Sequence, residues 1–366
     1  MISNSAFRHA DRNPTKFLPN DPNRGGQKDG LWGWEGEGQL TKLRERYGNL
    51  LPAHFRSTEV GAYSSTADRC QGTLQTTLAG LYPPADYDLW NSTVLWNPIG
   101  YIMDEPLLRA YYLKDCPGNE AAWRPIDNGQ LPEARQILNS NQDLINYLQS
   151  EVDWNPTLAR LADMADNVIA IKRLNLELPQ FVTQNPLNRN LYEEIARFAE
   201  APQILCSKHP PCRKMMAGYW LQFIRSKIRA KLNGTDTDRK GFLFSTHNEI
   251  MSSLLWLMGY ERENGVPYHG TGILALRSSP LPSVRLIYSE PATSESRTSH
   301  VVRMKFCSHQ EWCPLNTFLE ETAASAVDQW EDECRKPVCF CTENPKPSEG
   351  AEFNASNQYR RKRYTT

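Results

Sequence analysis

The chain has 366 residues, of which 40% are hydrophobic and 10% aromatic, which suits a folded protein of about two domains or one large domain with an insertion. Its 41 basic and 42 acidic residues give a net charge of −1, so no long-range attraction to nucleic acid or to an acidic membrane surface is built in. No stretch approaches the roughly 18 uninterrupted apolar residues of a membrane span. The classes of protein that remain are a soluble globular enzyme and a binding module.

Hydrophobic spacing predicts strands and helices in alternation at both ends of the chain. The predicted strands cover 1–7, 54–63, 241–246, 272–277 and 284–288. The predicted helices cover 39–48, 68–81, 131–150, 156–173, 189–201, 213–232, 247–258 and 314–326. The middle of the chain is polar and has few strand-like runs, which is typical of a helical insertion.

This pattern predicts an α/β fold, with a doubly wound, mainly parallel sheet flanked by helices and an inserted all-helical cap domain. We expect a discontinuous core made of residues 1–111 and 240–334, and a cap made of residues 112–239. The tail, residues 335–366, is rich in Pro, Glu and Lys, so we expect it to be disordered.

Several of the nine cysteines lie close together in sequence. Cys206 is near Cys212 and Cys307 is near Cys313, which suits local disulfides. A zinc site that combines His209 with Cys206 and Cys212 is the alternative, and it is disfavoured because no fourth ligand is nearby.

Three Asn-x-Ser/Thr sequons are candidates for glycosylation: Asn91, Asn233 and Asn354. Glycosylation and disulfides both belong to a secretory compartment. The N-terminal residues MISNSAFRHADR contain no apolar core of a signal peptide, so no signal peptide is visible. We expect that the natural leader is missing and that the chain starts inside a strand.

The strongest local signal for function is the turn Arg8-His9-Ala10-Asp11-Arg12-Asn13-Pro14, which directly follows the first predicted strand. A neutral imidazole can attack phosphorus and form a covalent intermediate. A guanidinium keeps its charge and matches phosphate oxygens with two N–H donors. The alternative is an exposed basic run that only solvates a loop.

Two further strand-to-helix turns carry Arg or His. Arg69, in SSTADR, lies at a predicted helix N-terminus, where anions bind well; an ordinary cap with a solvated arginine is the alternative. In FSTHNE, His247 can donate to a phosphate oxygen and Glu249 can protonate a leaving alcohol. The alternative there is a capping box between Thr246 and Glu249. Because open α/β sheets bind ligands at the carboxyl ends of their strands, we expect the three turns to converge.

At these residues the chain resembles the histidine acid phosphatases, which include the prostatic and lysosomal acid phosphatases and the phytases. RHADRNP is similar to the family's RHGxRxP turn, DRCQGTLQTTLAGLYPP to its later DR(T) segment, and STHNE to its late His-Asp or His-Ala-Glu. CSHQEWCPLNTF and QWEDEC look like its C-terminal region. The resemblance covers roughly 1–112 and 241–334 and is weak in the helical middle.

The resemblance implies a nucleophilic His9 that becomes phosphohistidine, without a metal or other cofactor. The residues that it implies for binding the phosphoryl oxygens are Arg8, Arg12, Arg69 and His247. It also implies the disulfides Cys116–Cys334 and Cys307–Cys313, whereas the pair Cys206–Cys212 rests on spacing alone. Small phosphomonoesters are the implied substrates, and phosphopeptides or phospholipids are further candidates. The resemblance also implies a secreted or lysosomal location, and it is compatible with a homodimer.

Two positions depart from the family pattern. Ala10 replaces a glycine, and its methyl group would crowd the phosphate or require a negative φ. Asn248 stands where most acid phosphatases have a proton-donating Asp, and an amide has no acidic proton to give. Glu249 occupies the place of the Glu in the His-Ala-Glu variant and is therefore the candidate proton donor.

Two functions follow from this sequence. The first is an acid phosphatase, a metal-independent phosphoric monoester hydrolase that forms a covalent phosphohistidine. The alternative is a catalytically impaired relative, a pseudophosphatase that binds phosphate esters or a partner protein and carries Ala10 and Asn248 as marks of lost activity.

Overall fold

A computed structural model describes residues 2–10, 12, 52–94, 96–113, 115–152, 157–184, 187–292 and 296–335. Its strands form one eight-stranded sheet. They are β1 (Ile2–Arg8), β2 (Val60–Ser64), β3 (Ile102–Met103), β4 (Gly241–Thr246), β5 (Thr271–Arg277), β6 (Ser283–Pro291), β7 (Arg297–Val302) and β8 (Cys313–Pro314). The order across the sheet is β3-β2-β4-β1-β5-β6-β7, and β8 pairs with β6. Strands β3, β2, β4 and β1 are parallel, and the remaining strands pair antiparallel.

The register of the parallel strands brings their carboxyl ends together. Arg8 of β1 lies opposite Thr246 of β4, and Ser64 of β2 lies opposite Ser245. All six residues of β4 are buried, as expected for a central parallel strand that is covered on both faces. The expected convergence of the three turns at one edge of the sheet is therefore confirmed.

Helices cover the sheet and fill most of the chain between β3 and β4. The helices are α1 (Asp68–Leu81), α2 (Glu105–Leu108), α3 (Pro117–Asp127), α4 (Pro132–Ser140), α5 (Gln142–Glu151), α6 (Leu158–Arg173), α7 (Gln180–Thr183), α8 (Leu191–Ala196), α9 (Ala201–Lys208), α10 (Pro210–Leu232), α11 (Asn248–Leu257), α12 (Leu315–Glu321) and α13 (Trp330–Arg335). The predicted α/β class, with a sheet flanked by helices, is confirmed. The proposed division into core and cap remains a prediction.

Some predicted elements have different bounds in the structure. The predicted helix over 131–150 is two helices, because Asn141 leaves the helical conformation between α4 and α5. The predicted strand over 54–63 starts only at Val60, since a turn closed on the carbonyl of Arg56 precedes it. The predicted helix over 314–326 ends at Glu321 and continues as a 3-10 turn. The predicted helix over 39–48 and residues 336–366 of the predicted tail lie outside the described residues, whereas Arg335, the first residue of that tail, ends α13.

The core on the two faces of the sheet joins distant parts of the chain. On one face, Leu74, Leu78 and Leu81 of α1 pack on Phe7 and Val60. Burying such side chains is worth about 1.5–3 kcal/mol each. On the other face, the ring of Trp220 from α10 meets Phe244 of β4 with centroids 5.0 Å apart. Both contacts fix the strands whose ends carry the candidate site.

Three disulfides connect the described cysteines: Cys116–Cys334, Cys206–Cys212 and Cys307–Cys313. These are the pairs that the sequence analysis names. The bond between Cys206 and Cys212 uses both thiolates that a zinc site with His209 would need, so that alternative is wrong. Cys70 is buried and free, and Cys339 and Cys341 lie outside the described residues. Among the helices that the structure describes, none is long and apolar enough to cross a bilayer.

Candidate active site

His9 lies just beyond the carboxyl end of β1 and is only 3% exposed. Its ring Nδ1 is 2.7 Å from the carbonyl oxygen of Ala10. A carbonyl only accepts, so Nδ1 carries the proton of the neutral ring and Nε2 keeps its lone pair. Burial, followed by the charge of Arg69, holds the pKa of His9 well below its ordinary value. The alternative of an exposed basic run is therefore wrong.

Arg69 connects the two histidines of the site. It is the second residue of α1 and is 8% exposed. Its Nε donates to Nε2 of His9 at 3.1 Å, and its Nη2 lies 3.2 Å from Nδ1 of His247. The hydroxyl of Thr73 accepts from the backbone N–H of Ala10 at 2.8 Å and donates to the carbonyl of Arg69 at 2.6 Å. The first turn of α1 is thus tied to the turn that carries His9.

His247 is buried and directly precedes α11. Its Nε2 lies 2.9 Å from the hydroxyl oxygen of Ser65. Because Nδ1 faces the guanidinium of Arg69, Nδ1 accepts and Nε2 donates to Ser65. Burial, and then the charge of Arg69, hold the pKa of His247 well below its ordinary value. His247 therefore fixes the orientation of Arg69.

Carboxylates from the helical middle hold the two arginines that flank His9. Nη1 of Arg8 donates to Oε1 of Glu200 at 3.0 Å and also to the carbonyl of Val266. Arg12 binds Asp166 of α6 with two parallel hydrogen bonds of 2.9 and 3.0 Å. Burial opposes the charge of Arg12, but Asp166 together with Tyr268 and Tyr111 outweighs burial and raises the pKa of the guanidinium. Both cations are therefore fixed in position by side chains far away in sequence.

Asn248 and Glu249 form the first turn of α11 and differ in their surroundings. Oδ1 of Asn248 accepts from the backbone N–H of Val266 at 2.7 Å and from the hydroxyl of Ser252 at 2.9 Å. Glu249 is half-buried and lines the cavity beside His247. After burial itself, the charge of Glu249 is the main reason why the pKa of Tyr111 is raised.

The capping-box alternative for this turn is wrong. The hydroxyl of Thr246 donates to the carbonyl of Leu108 at 2.6 Å, and no side-chain hydrogen bond caps α11. The carboxyl group of Glu249 is therefore not used as a helix cap and lies at the wall of the cavity.

Ala10 occupies a place that accepts a methyl group. The residue is fully buried at 0% exposure and does not line the cavity beside His9. Its φ is not among the positive values found in the described chain. The expectation that the methyl group would crowd the phosphate is not supported by this position.

Three residues that lie close to the predicted site residues were not predicted from the sequence. Arg109 lines the cavity, and its guanidinium lies 3.7 Å from the ring centroid of Tyr112. The ring of Tyr111 packs edge-on against His247 at 5.5 Å. The ring of Tyr268 lies 4.2 Å from the guanidinium carbon of Arg8 and 5.6 Å from the ring of His9. Arg109 and Tyr111 follow a strand of only two residues, which is too short to produce a periodic pattern.

One cavity of about 770 Å³ is bordered by His9, His247, Glu249, Arg109 and Tyr111. The arginines at its sheet end are Arg8, Arg12, Arg69 and Arg109. Guanidinium groups around a neutral imidazole can bind a phosphate group and stabilise charge that develops on its oxygens. Within the described residues, no group of three or more His, Cys, Asp or Glu is arranged to hold a metal ion.

Two of the three sequons can be placed. Asn233 is exposed at the end of α10. Asn91 is half-buried, and its Oδ1 accepts from the backbone and the hydroxyl of Thr93, both at 2.8 Å. Asn354 lies outside the described residues. Glycosylation of these positions remains a prediction.

Comparison with known proteins agrees with this fold. The chain is 24% identical over 358 residues to prostatic acid phosphatase of Rattus norvegicus, which covers 90% of this chain and 87% of that one. It is 25% identical over 350 residues to lysosomal acid phosphatase of Homo sapiens, which covers 90% of this chain and 78% of that one. No protein-family model matches the chain.

Among solved structures, the apo form of Hafnia alvei phytase superposes with a TM-score of 0.62 at 16% identity. The match covers 92% of this chain and 98% of the phytase, and it shows the shared fold. An α/β protein with an arginine- and histidine-lined cavity at the carboxyl edge of its sheet is therefore established. The chain is similar in sequence to acid phosphatases and in fold to a phytase, so the predicted resemblance is confirmed.

Proposed function

We propose that this chain is a phosphomonoesterase that transfers the phosphoryl group of its substrate to Nε2 of His9. The observation that carries the proposal is the state of that ring: Nδ1 is bound to the carbonyl of Ala10, while Nε2 is unprotonated and faces Arg69. The lone pair of this nitrogen can attack phosphorus once the hydrogen bond from Arg69 passes to a phosphate oxygen. The names of the relatives, prostatic and lysosomal acid phosphatase, support the same activity.

The reaction has two steps in which bonds and protons balance. In the first step, Nε2 of His9 forms a bond to phosphorus, the bond from phosphorus to the leaving oxygen breaks, and Glu249 gives its proton to that oxygen. In the second step, a water molecule gives a proton to Glu249 and its oxygen attacks phosphorus. The bond to Nε2 then breaks, which releases phosphate and regenerates neutral His9.

The cations around His9 supply most of the stabilisation in this proposal. Charge in phosphoryl transfer lies on the equatorial oxygens, so fixed donors lower the barrier more than covalent chemistry does. Arg69 is already bound to Nε2, and Arg8 and Arg12 are held by Glu200 and Asp166. His247 acts by positioning Arg69, and no metal ion has a part in the mechanism.

An acidic working range follows from the same groups. His9 stays neutral at mildly acidic pH because its pKa is lowered, and protonated Glu249 is needed as the acid of the first step. We also propose a secreted or lysosomal location, which the three disulfides and the names of the relatives support. Phosphopeptides, phospholipids and dimer formation remain proposals that need separate tests.

The second candidate is a pseudophosphatase that binds phosphate esters without turnover. Asn248 favours it, because the amide at the usual Asp position offers no acidic proton and its Oδ1 is already used by Val266 and Ser252. The two candidates differ in a single respect, namely whether Glu249 can serve as the acid in place of residue 248.

Hydrolysis of p-nitrophenyl phosphate from pH 4 to 8, with a chelator present, tests the proposal. Wild type is compared with His9→Ala and with His300→Ala, which removes an exposed histidine of β7 outside the cavity. We expect chelator-resistant activity that peaks in acid, is lost in His9→Ala and is unchanged in His300→Ala. Folded wild type that binds vanadate without turnover would instead establish the pseudophosphatase.

A further inference from the structure

Arg8 is held by residues 265–270, which belong to the connection between α11 and β5 and are called the 265–270 loop below. The backbone N–H of Arg8 donates to the carbonyl of Gly270 at 3.0 Å, and its Nη1 donates to the carbonyl of Val266. The ring centroid of Tyr268 lies 4.2 Å from the guanidinium carbon. Three residues of this loop therefore fix both the backbone and the side chain of one arginine.

The hydrogen bonds of Arg8 leave one end of its guanidinium for a ligand. Nη1 carries two hydrogens, and Glu200 and Val266 accept one each. Nη2 makes no hydrogen bond within the described residues, and it is not among their buried atoms that lack a partner. Because Arg8 lines the cavity beside His9, Nη2 is the donor that a phosphate group would meet there.

Asn248 in turn fixes the 265–270 loop. It is 5% exposed, and its Oδ1 accepts from the backbone N–H of Val266 at 2.7 Å. Val266 is fully buried, so removal of this acceptor would leave a buried N–H unpaired. The backbone of Val266 thus connects Asn248, at the start of α11, to Arg8, at the end of β1.

Gly265 allows the amide of Asn248 and the carboxylate of Glu200 to lie close together. A methyl group on Gly265 would be 2.7 Å from Nδ2 of Asn248 and 2.6 Å from Oε2 of Glu200. Both distances are shorter than van der Waals contact, so a side chain at this position would push the two groups away. The carboxylate that binds Arg8 directly and the amide that holds it through Val266 are therefore neighbours.

We propose that Asn248 is a positioning residue of the phosphate site, which holds Arg8 in place through the backbone of Val266. This role needs an acceptor oxygen and no acidic proton, so an asparagine can fill it. The inference rests on the proposed function, because it takes Arg8 as a ligand of the phosphoryl group. Asn248 then contributes to phosphate binding whether or not turnover follows.

A double-mutant cycle of Asn248→Ala and Arg8→Ala tests this connection. Binding of inorganic phosphate is measured by calorimetry or, where it is weak, by phosphorus NMR. With Arg8 present, Asn248→Ala should weaken phosphate binding by about tenfold, which is within the coupling found for residues of one hydrogen-bond network. In the Arg8→Ala protein, the same substitution should change the affinity by less than about twofold, because the arginine that Asn248 positions is gone. Equal losses in both backgrounds, or no loss in Asn248→Ala, would overturn the inference.

Asn190→Ala is the matched control. Oδ1 of Asn190 also accepts from a backbone N–H, that of Glu193 at 3.2 Å, but Asn190 lies at the start of α8 and does not line the cavity. Its loss should lower stability, as for other helix caps, and leave the phosphate affinity unchanged. A comparable loss of affinity in Asn190→Ala would show a general effect of destabilisation and would overturn the positioning role.

Thermal melting of each variant shows whether it folds. Gly265→Ala replaces an Asn248→Ala protein that does not fold, because its methyl group would displace the same amide and carboxylate. Gly265→Ala should weaken phosphate binding in the presence of Arg8 and should have little effect in the Arg8→Ala protein. Unchanged binding in folded Gly265→Ala would count against the inference in the same way.

Phosphate binding needs no turnover, so failure of this inference and failure of the proposed function are distinguishable. Coupling between Asn248 and Arg8 in a wild type that does not hydrolyse p-nitrophenyl phosphate would retain the positioning role and reject the phosphatase. Turnover by wild type without this coupling would reject the positioning role and retain the phosphatase.

Discussion

Nε of Arg69 donates to Nε2 of His9 across 3.1 Å. The same guanidinium reaches Nδ1 of His247 through Nη2 at 3.2 Å. A residue in the first turn of α1 therefore holds the ends of β1 and β4 in one arrangement. When Nε2 attacks, its lone pair forms the bond to phosphorus, so the guanidinium of Arg69 passes its hydrogen bond to a phosphate oxygen, where the charge develops.

Arg69→Lys should lower kcat/KM by about 100-fold or more, which is the cost of losing one preorganised donor to a developing charge. Lysine keeps the charge but loses the planar fork that contacts both histidines. Steady-state kinetics with p-nitrophenyl phosphate measure the effect. Arg56→Lys, which alters an arginine whose side chain is 64% exposed, should leave the rate unchanged. A loss of less than fivefold in Arg69→Lys would contradict the bridging role.

Glu249→Gln should affect substrates according to their leaving group. An alkyl alkoxide needs a proton to leave, so kcat with hexyl phosphate should fall by about 100-fold. p-Nitrophenolate is a good leaving group without a proton, so its formation should slow by less than about tenfold. Parallel measurement of the two substrates provides an internal control. An equal loss on both would mean that Glu249 is not the proton donor.

The acid limb of kcat/KM should lie below the ordinary histidine range. The pKa of His9 is lowered well below 6.5, first by burial and then by Arg69, so the neutral nucleophile persists as the pH falls. kcat/KM reports the free enzyme, and after correction for substrate ionisation it should show no fall as the pH drops through about 6. A tenfold fall per pH unit that begins near 6.5 would show an ordinary, readily protonated histidine.

The lowered pKa values of His9 and His247 make the folded protein less stable in acid. Below about pH 6.5 the unfolded chain protonates His9 and His247, whereas the folded protein holds both neutral. Stability should therefore fall as the pH drops, by about 1.4 kcal/mol per pH unit for each histidine in that window. Urea unfolding at several pH values measures the slope, and His9→Ala should reduce it relative to wild type. An unchanged slope would contradict the lowered pKa of His9.

Ala10→Gly should change stability more than activity. Ala10 is fully buried, its methyl group is away from the cavity, and its φ is not positive. Glycine adds freedom to the unfolded chain, so the free energy of unfolding should fall by about 0.4–1 kcal/mol. Activity on p-nitrophenyl phosphate should stay within about twofold. A large gain in kcat would show that the methyl group obstructs the phosphate after all.

Elements with strong local signals were predictable at the level of single residues. The strand over 241–246 and the helix over 68–81 have the predicted bounds. The strand is an apolar run between a glycine and a polar turn, and the helix ends before Pro83 and Pro84. The turns that carry His9, Arg69 and His247 were found for the same reason, since each directly follows a strand.

Other parts depend on contacts that local patterns do not contain. Helix α3 has Pro125 in its interior and Gly118 near its start, which hide its helical pattern. Glu200 is 192 residues from its partner Arg8, and Asp166 is 154 residues from Arg12. Such pairs arise only when the inserted helices pack over the sheet, so they could not be predicted from the sequence.

The most direct test of the central claim is to look for phosphate on His9. Wild type is mixed with p-nitrophenyl phosphate, denatured in alkali within milliseconds, where phosphohistidine survives, and digested for mass spectrometry. We predict a phosphorylated peptide that contains His9, formed as fast as the burst of p-nitrophenol and absent from His9→Ala. Turnover without a phosphorylated peptide, or with phosphate on another residue, would contradict the account.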